Sequence, residues 1–444
     1  MIKIKYSSLT VFTGNRNRPH KINSAEIFHS KPRILILAYH ANKELDPLLA
    51  GQLGRWPEMR YRRVHPIFKL LRLFMNRLIL TGNGFDLAHG LKTSYKDFII
   101  WYLNKRFNTA MVGHGYQDDL LRITRASQWD DIDHDDNIIA IKEIADLFQD
   151  RGFEKMIQSQ AVRLVTNFYN GIFKVNINSA FLEFLLLRCS KAGWVDIENE
   201  FYVQLKEILH SKDISDKKHD IDVLNKSLAS LIALLQEYLK TLPEIVIDQA
   251  YYGIIQSKIL KSDMATVHLA EDETCGNIHV LNFNYTSAVQ QYFRKEQNRH
   301  YEVNYIHGKL DDPNNSLIFG FGDELDEDYL KMEHAHMAGY FAYIKSFWYF
   351  KTSNYHNLIR FIDSGAFQVV ILGHSCGLSD RTMLNMIFEH ENCKSIKIYY
   401  YEHDGQNNFN TLTQEISRHF RDKGIMRKKI VPFNRSYPMP QFQP

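Results

Sequence analysis

A short apolar strand that runs straight into a glycine turn constrains this chain more than any other feature. Leu78-Ile79-Leu80 leads into Thr81-Gly82-Asn83-Gly84-Phe85-Asp86, and a helical segment opens near Ser94. Strand, glycine turn and helix form the unit from which parallel α/β sheets are wound. Further apolar, strand-like runs occupy residues 278–284, 303–307, 317–320, 367–372 and 396–401, and helical patterns cover 339–363 and 379–391. Continuous apolar strands alternating with helices predict a mostly parallel, doubly wound sheet.

Between the first glycine turn and the strand at 278 the pattern changes. Residues 100–271 are charged, poor in proline, and apolar at helical spacing, as in Ile141, Ile144, Ala145 and Phe148 and again in Leu224, Leu228, Leu231, Ile232, Leu235 and Leu239. This predicts a large helical insertion. The expected organisation is a Rossmann-like α/β domain over 75–99 and 272–440, interrupted by a helical subdomain over 100–271.

Residues 1–74 stand apart. They hold 14 Lys and Arg against 4 Asp and Glu, a balance of +10, and 5 of the 11 prolines. The remaining residues hold 40 against 47, a balance of −7, so the body carries no basic face that would imply nucleic acid. Beyond a strand-like run at 33–37 the basic segment has little periodicity. It reads either as an arm for an anionic partner or as a segment outside the native fold, with Met75 as the true start, and the second is the expectation. The four cysteines, Cys189, Cys275, Cys376 and Cys393, form no Cys-x-x-Cys pair and are expected to be reduced thiols, with no metal. The apolar run 181–187 is too short to span a bilayer. A cytoplasmic protein is expected.

Several residues carry chemistry. Gly82-Asn83-Gly84, between a buried strand and a helix, is suited to bring backbone N–H groups to a phosphate. Leu87 stands where a Gly-x-Gly-x-x-Gly fingerprint has its third glycine, and no Gly-Lys-Ser/Thr follows, so this is not an ATPase P-loop. Asn284 and His307 each end a strand, and in an open α/β sheet those ends converge on the ligand crevice. A neutral His there serves as a general base, and an Asn orients a ribose or a water. Asp196 and Glu198, in Gly193-Trp194-Val195-Asp196-Ile197-Glu198, read either as cleft-lining acids or as helix-surface charges. Glu333-His334-Ala335-His336 reads as solvated histidines. Gly373-His374-Ser375-Cys376-Gly377 follows a strand and matches the Gly-x-Ser-x-Gly elbow of α/β-hydrolases. Only 69 residues follow Ser375, with Asp404 and His419 as the available acid and base. The alternative is a second phosphate-facing turn with Ser375 and Asp380 near a dinucleotide.

In their order these blocks resemble one family. Leu80-Thr81-Gly82-Asn83-Gly84-Phe85-Asp86-Leu87-Ala88-His89-Gly90-Leu91, then Thr93-Ser94-Tyr95 and Phe98, is similar to the N-terminal signature of AbiH, the phage abortive-infection family. Trp194-Val195-Asp196-Ile197-Glu198, Asn282-Phe283-Asn284-Tyr285-Thr286, His307-Gly308 and Gly373-His374-Ser375 resemble its later blocks, from about residue 75 to about 405.

The same order resembles, more distantly, the sirtuin-like NAD-binding fold. That likeness implies that Gly82 and Gly84 bind the pyrophosphate, with Asn83, Phe85 and Asp86 as further cofactor-binding residues. It implies further that Asn284 holds the nicotinamide ribose with Thr286 beside it, that His307 starts the chemistry, and that Gly373, Ser375 and Asp380 form a later ribose-binding turn. Where sirtuins carry Asp two residues after the Asn, this chain has Thr286, and the four-cysteine zinc module of deacetylases is missing. Defence proteins of this fold hydrolyse NAD.

The resemblance therefore implies an antiphage effector that cleaves NAD at the nicotinamide glycosidic bond, with NAD as its small-molecule partner. An unknown phage trigger and a possible homo-oligomer are expected, with neither nucleic acid nor membrane as partner. A nucleotide sensor that binds without turnover and a hydrolase using Ser375 are the alternatives.

Overall fold

A computed structural model describes residues 75–442, apart from 114, 127–137, 141–162, 169–170, 192–195, 213–215, 268, 270 and 294–300, together with two short strands nearer the N-terminus. Those strands, Leu9–Val11 and His20–Ile22, pair antiparallel within a unit of their own, Met1–Arg72. The strand-like run at 33–37, the helical pattern at 141–148 and Trp194 lie outside the described residues.

Six strands make the principal sheet: β1 (Asn76–Thr81), β2 (Ile278–Asn282), β3 (Tyr301–Tyr305), β4 (Phe367–Leu372), β5 (Cys393–Tyr400) and β6 (Tyr437–Pro438). Their spatial order is β3-β2-β1-β4-β5-β6, and every pairing is parallel. This is the doubly wound Rossmann order, and its direction of winding reverses between β1 and β4. The side chains explain why these strands lie inside. Leu78, Leu80, Leu281, Val369, Ile371, Ile396 and Ile398 are all fully buried on one face, and Ile79, Val280 and Val370 on the other. The loops after β1 and β4 therefore open side by side at the carboxyl edge.

Helices cover the sheet and form the insertion. After β1 come α1 (Asn83–Ala88) and α2 (Tyr95–Val112), the latter begun by Ser94, whose hydroxyl accepts the Asp97 N–H as an N-cap. The insertion continues with α3 (Ala180–Lys191), α4 (Ile197–His210) and α5 (Lys217–Leu239). Leu224, Leu228, Leu231, Leu235 and Leu239 recur at helical spacing along α5 and all point into the insertion's core. Beyond β3 lie α6 (Asn354–Asp363), α7 (Arg381–Glu389) and α8 (Phe409–Ser417). None of the described helices is long and apolar enough to cross a membrane.

The structure departs from the sequence reading in three places. The insertion is not helical throughout. Strands Gly115–Gln117, Leu121–Ala126, Gly171–Ile177, Arg163–Phe168 and Ile138–Ala140 form, in that spatial order, a second sheet. Residues 317–320 are not a strand. Gly308, at φ +87°, turns the chain back so tightly that a methyl group on it would meet the Ser316 carbonyl at 2.3 Å, and the segment runs on as a loop. The continuous helix predicted over 339–363 is broken into short turns at Ala338–Phe341, Lys345–Trp348 and Tyr349–Lys351 before α6. The break turns Lys345 inward, where it is completely buried.

The turns after β1 and β4 touch backbone to backbone. The Gly84 N–H donates to the Gly373 carbonyl at 2.8 Å. Gly373 sits at φ +80°, and a methyl group on it would lie 2.1 Å from the Phe85 nitrogen. Gly373→Ala therefore meets both left-handed strain and a backbone clash, and is expected to cost at least about 2 kcal/mol. An unchanged urea midpoint in that variant would contradict the reading of this contact.

Candidate active site at the sheet switch point

At the carboxyl edge, where the winding reverses, lies a cavity of about 710 Å³. Gly82, Asn83, Gly84 and Asp86 line it from the first turn, Asn284 and Thr286 from the loop after β2, and His307 from the turn after β3. Gly373, Ser375 and Asp380 line it from the loop after β4. Of the residues that the sirtuin-like resemblance assigns to the nucleotide site, Phe85 alone is absent from the wall. It is fully buried in the core beneath the turn, packed edge-on against Tyr251 at 5.1 Å. The insertion adds Tyr95, Asp196, Glu198, Leu235 and Leu239. A space of this size is typical of small-molecule sites.

Asn284 ties the first turn together. Its amide donates to the Gly82 carbonyl at 2.9 Å and to Asp86 Oδ1 at 2.9 Å, and Thr286 Oγ1 donates to Asp86 Oδ2 at 2.6 Å. With both N–H groups used, the Asn284 carbonyl oxygen is the group left for a ligand hydroxyl. Beneath it, Asn282 Oδ1 accepts from Thr81 Oγ1 and from the Asn284 N–H, which fixes the strand ends. The Gly84 N–H is already spent on Gly373, so in this turn the glycines serve close backbone approach as well as any phosphate.

Burial pushes the Asp86 carboxyl up to about 7, against the hydrogen bonds from Thr286 and Asn284. An acid raised on folding adds stability while it is protonated. That contribution is full below its ordinary value of 3.8 and is lost as pH rises through about 7. Asp86→Asn keeps an acceptor for Asn284 and supplies a donor for Thr286. It is expected to flatten part of the fall in Tm between about pH 4 and 8, and an unaltered slope would refute the assignment.

Around His307 the site is ionic. Lys345 Nζ lies 2.8 Å from Glu198 Oε2 and 2.9 Å from Asp380 Oδ1, and His307 Nε2 lies 3.1 Å from the same Asp380 oxygen. The Tyr349 hydroxyl is 3.2 Å from Nε2. A carboxylate partner selects the Nε2–H tautomer, which leaves Nδ1 as the basic nitrogen. Burial first, then the Lys345 charge, lowers His307 to about 4, so it is neutral at physiological pH. Burial alone would raise Asp380, but Lys345, His307 and His374 overcome it and hold the carboxyl well below its ordinary value. Burial raises Glu198 to about 7 despite Lys345. His374 accepts the Cys376 N–H on Nδ1, which turns its Nε2 toward Asp380 at 3.7 Å.

Sequence reasoning missed Lys345. It stands alone in Tyr343-Ile344-Lys345-Ser346-Phe347 with no motif around it, and only the fold reveals its burial. Asp196 and Glu198 are cleft acids rather than surface charges. His334 and His336 are exposed. The hydrolase elbow is not assembled: the non-glycine residue of the motif with positive φ is Cys376 rather than Ser375, Asp404 is exposed, and His419 Nε2 bonds the Cys376 carbonyl at 2.7 Å.

A search among curated proteins gives no match. The family model described as bacteriophage abortive infection AbiH matches residues 78–402, from the first strand of the sheet to just past the fifth. The glycine turns, Asn284, His307 and Asp380 all fall within that span, and the chain belongs to the AbiH family of bacteriophage abortive infection.

Proposed function

We propose that this abortive-infection protein acts by hydrolysing NAD at the bond between nicotinamide and ribose. The observation that carries this reading is the convergence of Asn284 and His307 on one cavity at the switch point of a 3-2-1-4-5-6 sheet, the place where such folds hold dinucleotides. The order of the motifs, which distantly resembles that of sirtuin-like proteins, supports it. So does the local chemistry. Thr286 takes the position of a sirtuin carboxylate, but Asp86 brings a carboxylate to within 2.6 Å of its hydroxyl.

In this reading the pyrophosphate lies along the turns at Gly82 and Gly373. The carbonyl oxygen of Asn284 accepts from a ribose hydroxyl. His307, neutral and steered by Asp380, takes a proton from a ribose hydroxyl or from the attacking water through Nδ1. As the glycosidic bond lengthens, positive charge moves from the nicotinamide ring onto the ribose. Four acidic side chains, Asp86, Asp196, Glu198 and Asp380, line the cavity around that charge, the last two paired with the buried Lys345.

The test is cellular NAD measured after induction of the protein, with and without phage. NAD is expected to fall when the protein is active. Stable NAD alongside intact phage protection would overturn the reading and favour a nucleotide sensor.

A further inference from the structure

Resting on the reading of this cavity as a glycosidic-bond hydrolase site, we infer that Asp196, supplied by the insertion, is a second catalytic residue that takes the proton from the attacking water. The four carboxylates of the cavity are not equivalent. Asp86 is held by Asn284 and Thr286, Asp380 by Lys345 and His307, and Glu198 by Lys345 and by the Gly320 N–H at 3.1 Å. Asp196 differs. Its Oδ1 accepts the Asn199 N–H as the cap of α4, the Glu198 N–H is a second backbone donor to the carboxyl, and neither Lys nor Arg forms an ion pair with it among the described residues.

Gly377 leaves room beside that oxygen. A methyl group built on Gly377 would stand 3.7 Å from Asp196 Oδ2, 3.7 Å from Ser375 Oγ and 3.9 Å from Ser379 Oγ. Three oxygens thus converge where a side chain is missing, and all three belong to cavity-lining residues. The two hydroxyls orient a water, and the carboxylate accepts its proton. Burial raises the Asp196 carboxyl, against the Asn199 N–H and the Lys345 charge, which makes it a stronger base than a solvated one.

In the step itself the water oxygen bonds to C1′ of the ribose as one of its protons passes to Asp196. The bond from C1′ to the pyridinium nitrogen breaks, and its electron pair stays with the ring, which leaves as neutral nicotinamide. The proton then passes from Asp196 to solvent. The ribose hydroxyl is left to His307.

The experiment follows nicotinamide release by the full chain, alongside NAD binding by calorimetry. Asparagine caps helices as well as aspartate does, so Asp196→Asn keeps α4 intact. It is expected to bind NAD with affinity near that of the wild type and to lose about 10²–10⁴-fold in turnover. Its pH profile should lose a limb that lies above the ordinary carboxylate range. Formate is expected to restore part of the turnover to Asp196→Ala. Gly377→Ala, at a backbone φ of −68° that alanine adopts freely, is expected to fold and to lose turnover by filling the space. If the wild type releases nicotinamide and Asp196→Asn matches its rate and pH profile, this assignment fails while the hydrolase reading stands. A wild type inert toward NAD removes both.

Discussion

Replacing Lys345 with methionine is expected to cost about 3–5 kcal/mol of stability, the penalty for stranding buried charge. The ammonium is completely buried and lies within 3 Å of both Glu198 and Asp380. Without it, two buried carboxylates are left with no cation. Whole domains are stable by only about 5–15 kcal/mol, so much of the protein is expected to be lost on expression. The sign of the pH dependence is also fixed. Acid protonates the stranded carboxylates, so the variant should recover stability relative to the wild type as pH falls, and Lys345→Met combined with Glu198→Gln should recover part of it at neutral pH. Urea denaturation followed by circular dichroism measures both, and a midpoint equal to the wild type would refute the role of Lys345.

The second large effect is on chemistry. His307→Ala is expected to lower NAD hydrolysis by about 10²–10⁴-fold, the usual loss when a general base is removed. The substitution opens space in a polar site and leaves Asp380 paired to Lys345, so a folded variant is expected. His307 is lowered to about 4, chiefly by burial, so the neutral base persists down to mildly acidic pH. The limb it contributes to kcat/KM is expected near 4 and not near the ordinary histidine value. Nicotinamide release measured across pH tests this. A limb near 6.5 that vanishes in His307→Ala would show a solvated histidine instead.

Much of this site was legible because its parts are local. A strand that ends in a glycine turn is a pattern of a few residues, and so is a strand that ends in Asn284 or His307. Parallel winding then brings those strand ends together, so finding the pieces was nearly enough to find the cavity. The exception among them, Phe85, follows from α1: the residue after Gly84 on so short a helix faces the core beneath the turn, not the ligand.

What stayed hidden depends on distant contacts. Lys345 is an ordinary lysine in sequence, and its burial exists only because α4 brings Glu198 and the loop after β4 brings Asp380 to it. The second sheet was hidden for another reason. Its strands are short, and polar residues interrupt their apolar runs, as in Leu121-Arg122-Ile123-Thr124-Arg125-Ala126, so the stronger helical periodicity around them dominated. Asp196 and Glu198 read equally well as surface charges in sequence, because only the fold brings the insertion to the cavity wall.

Product analysis of purified protein incubated with NAD shows directly whether this cavity cleaves the nicotinamide glycosidic bond. Nicotinamide and ADP-ribose are expected in equal amounts, at a rate that falls by about 10²–10⁴-fold in His307→Ala. NAD recovered intact from a wild-type protein that binds it and still protects cells from phage would rule out NAD hydrolysis as the activity of this site.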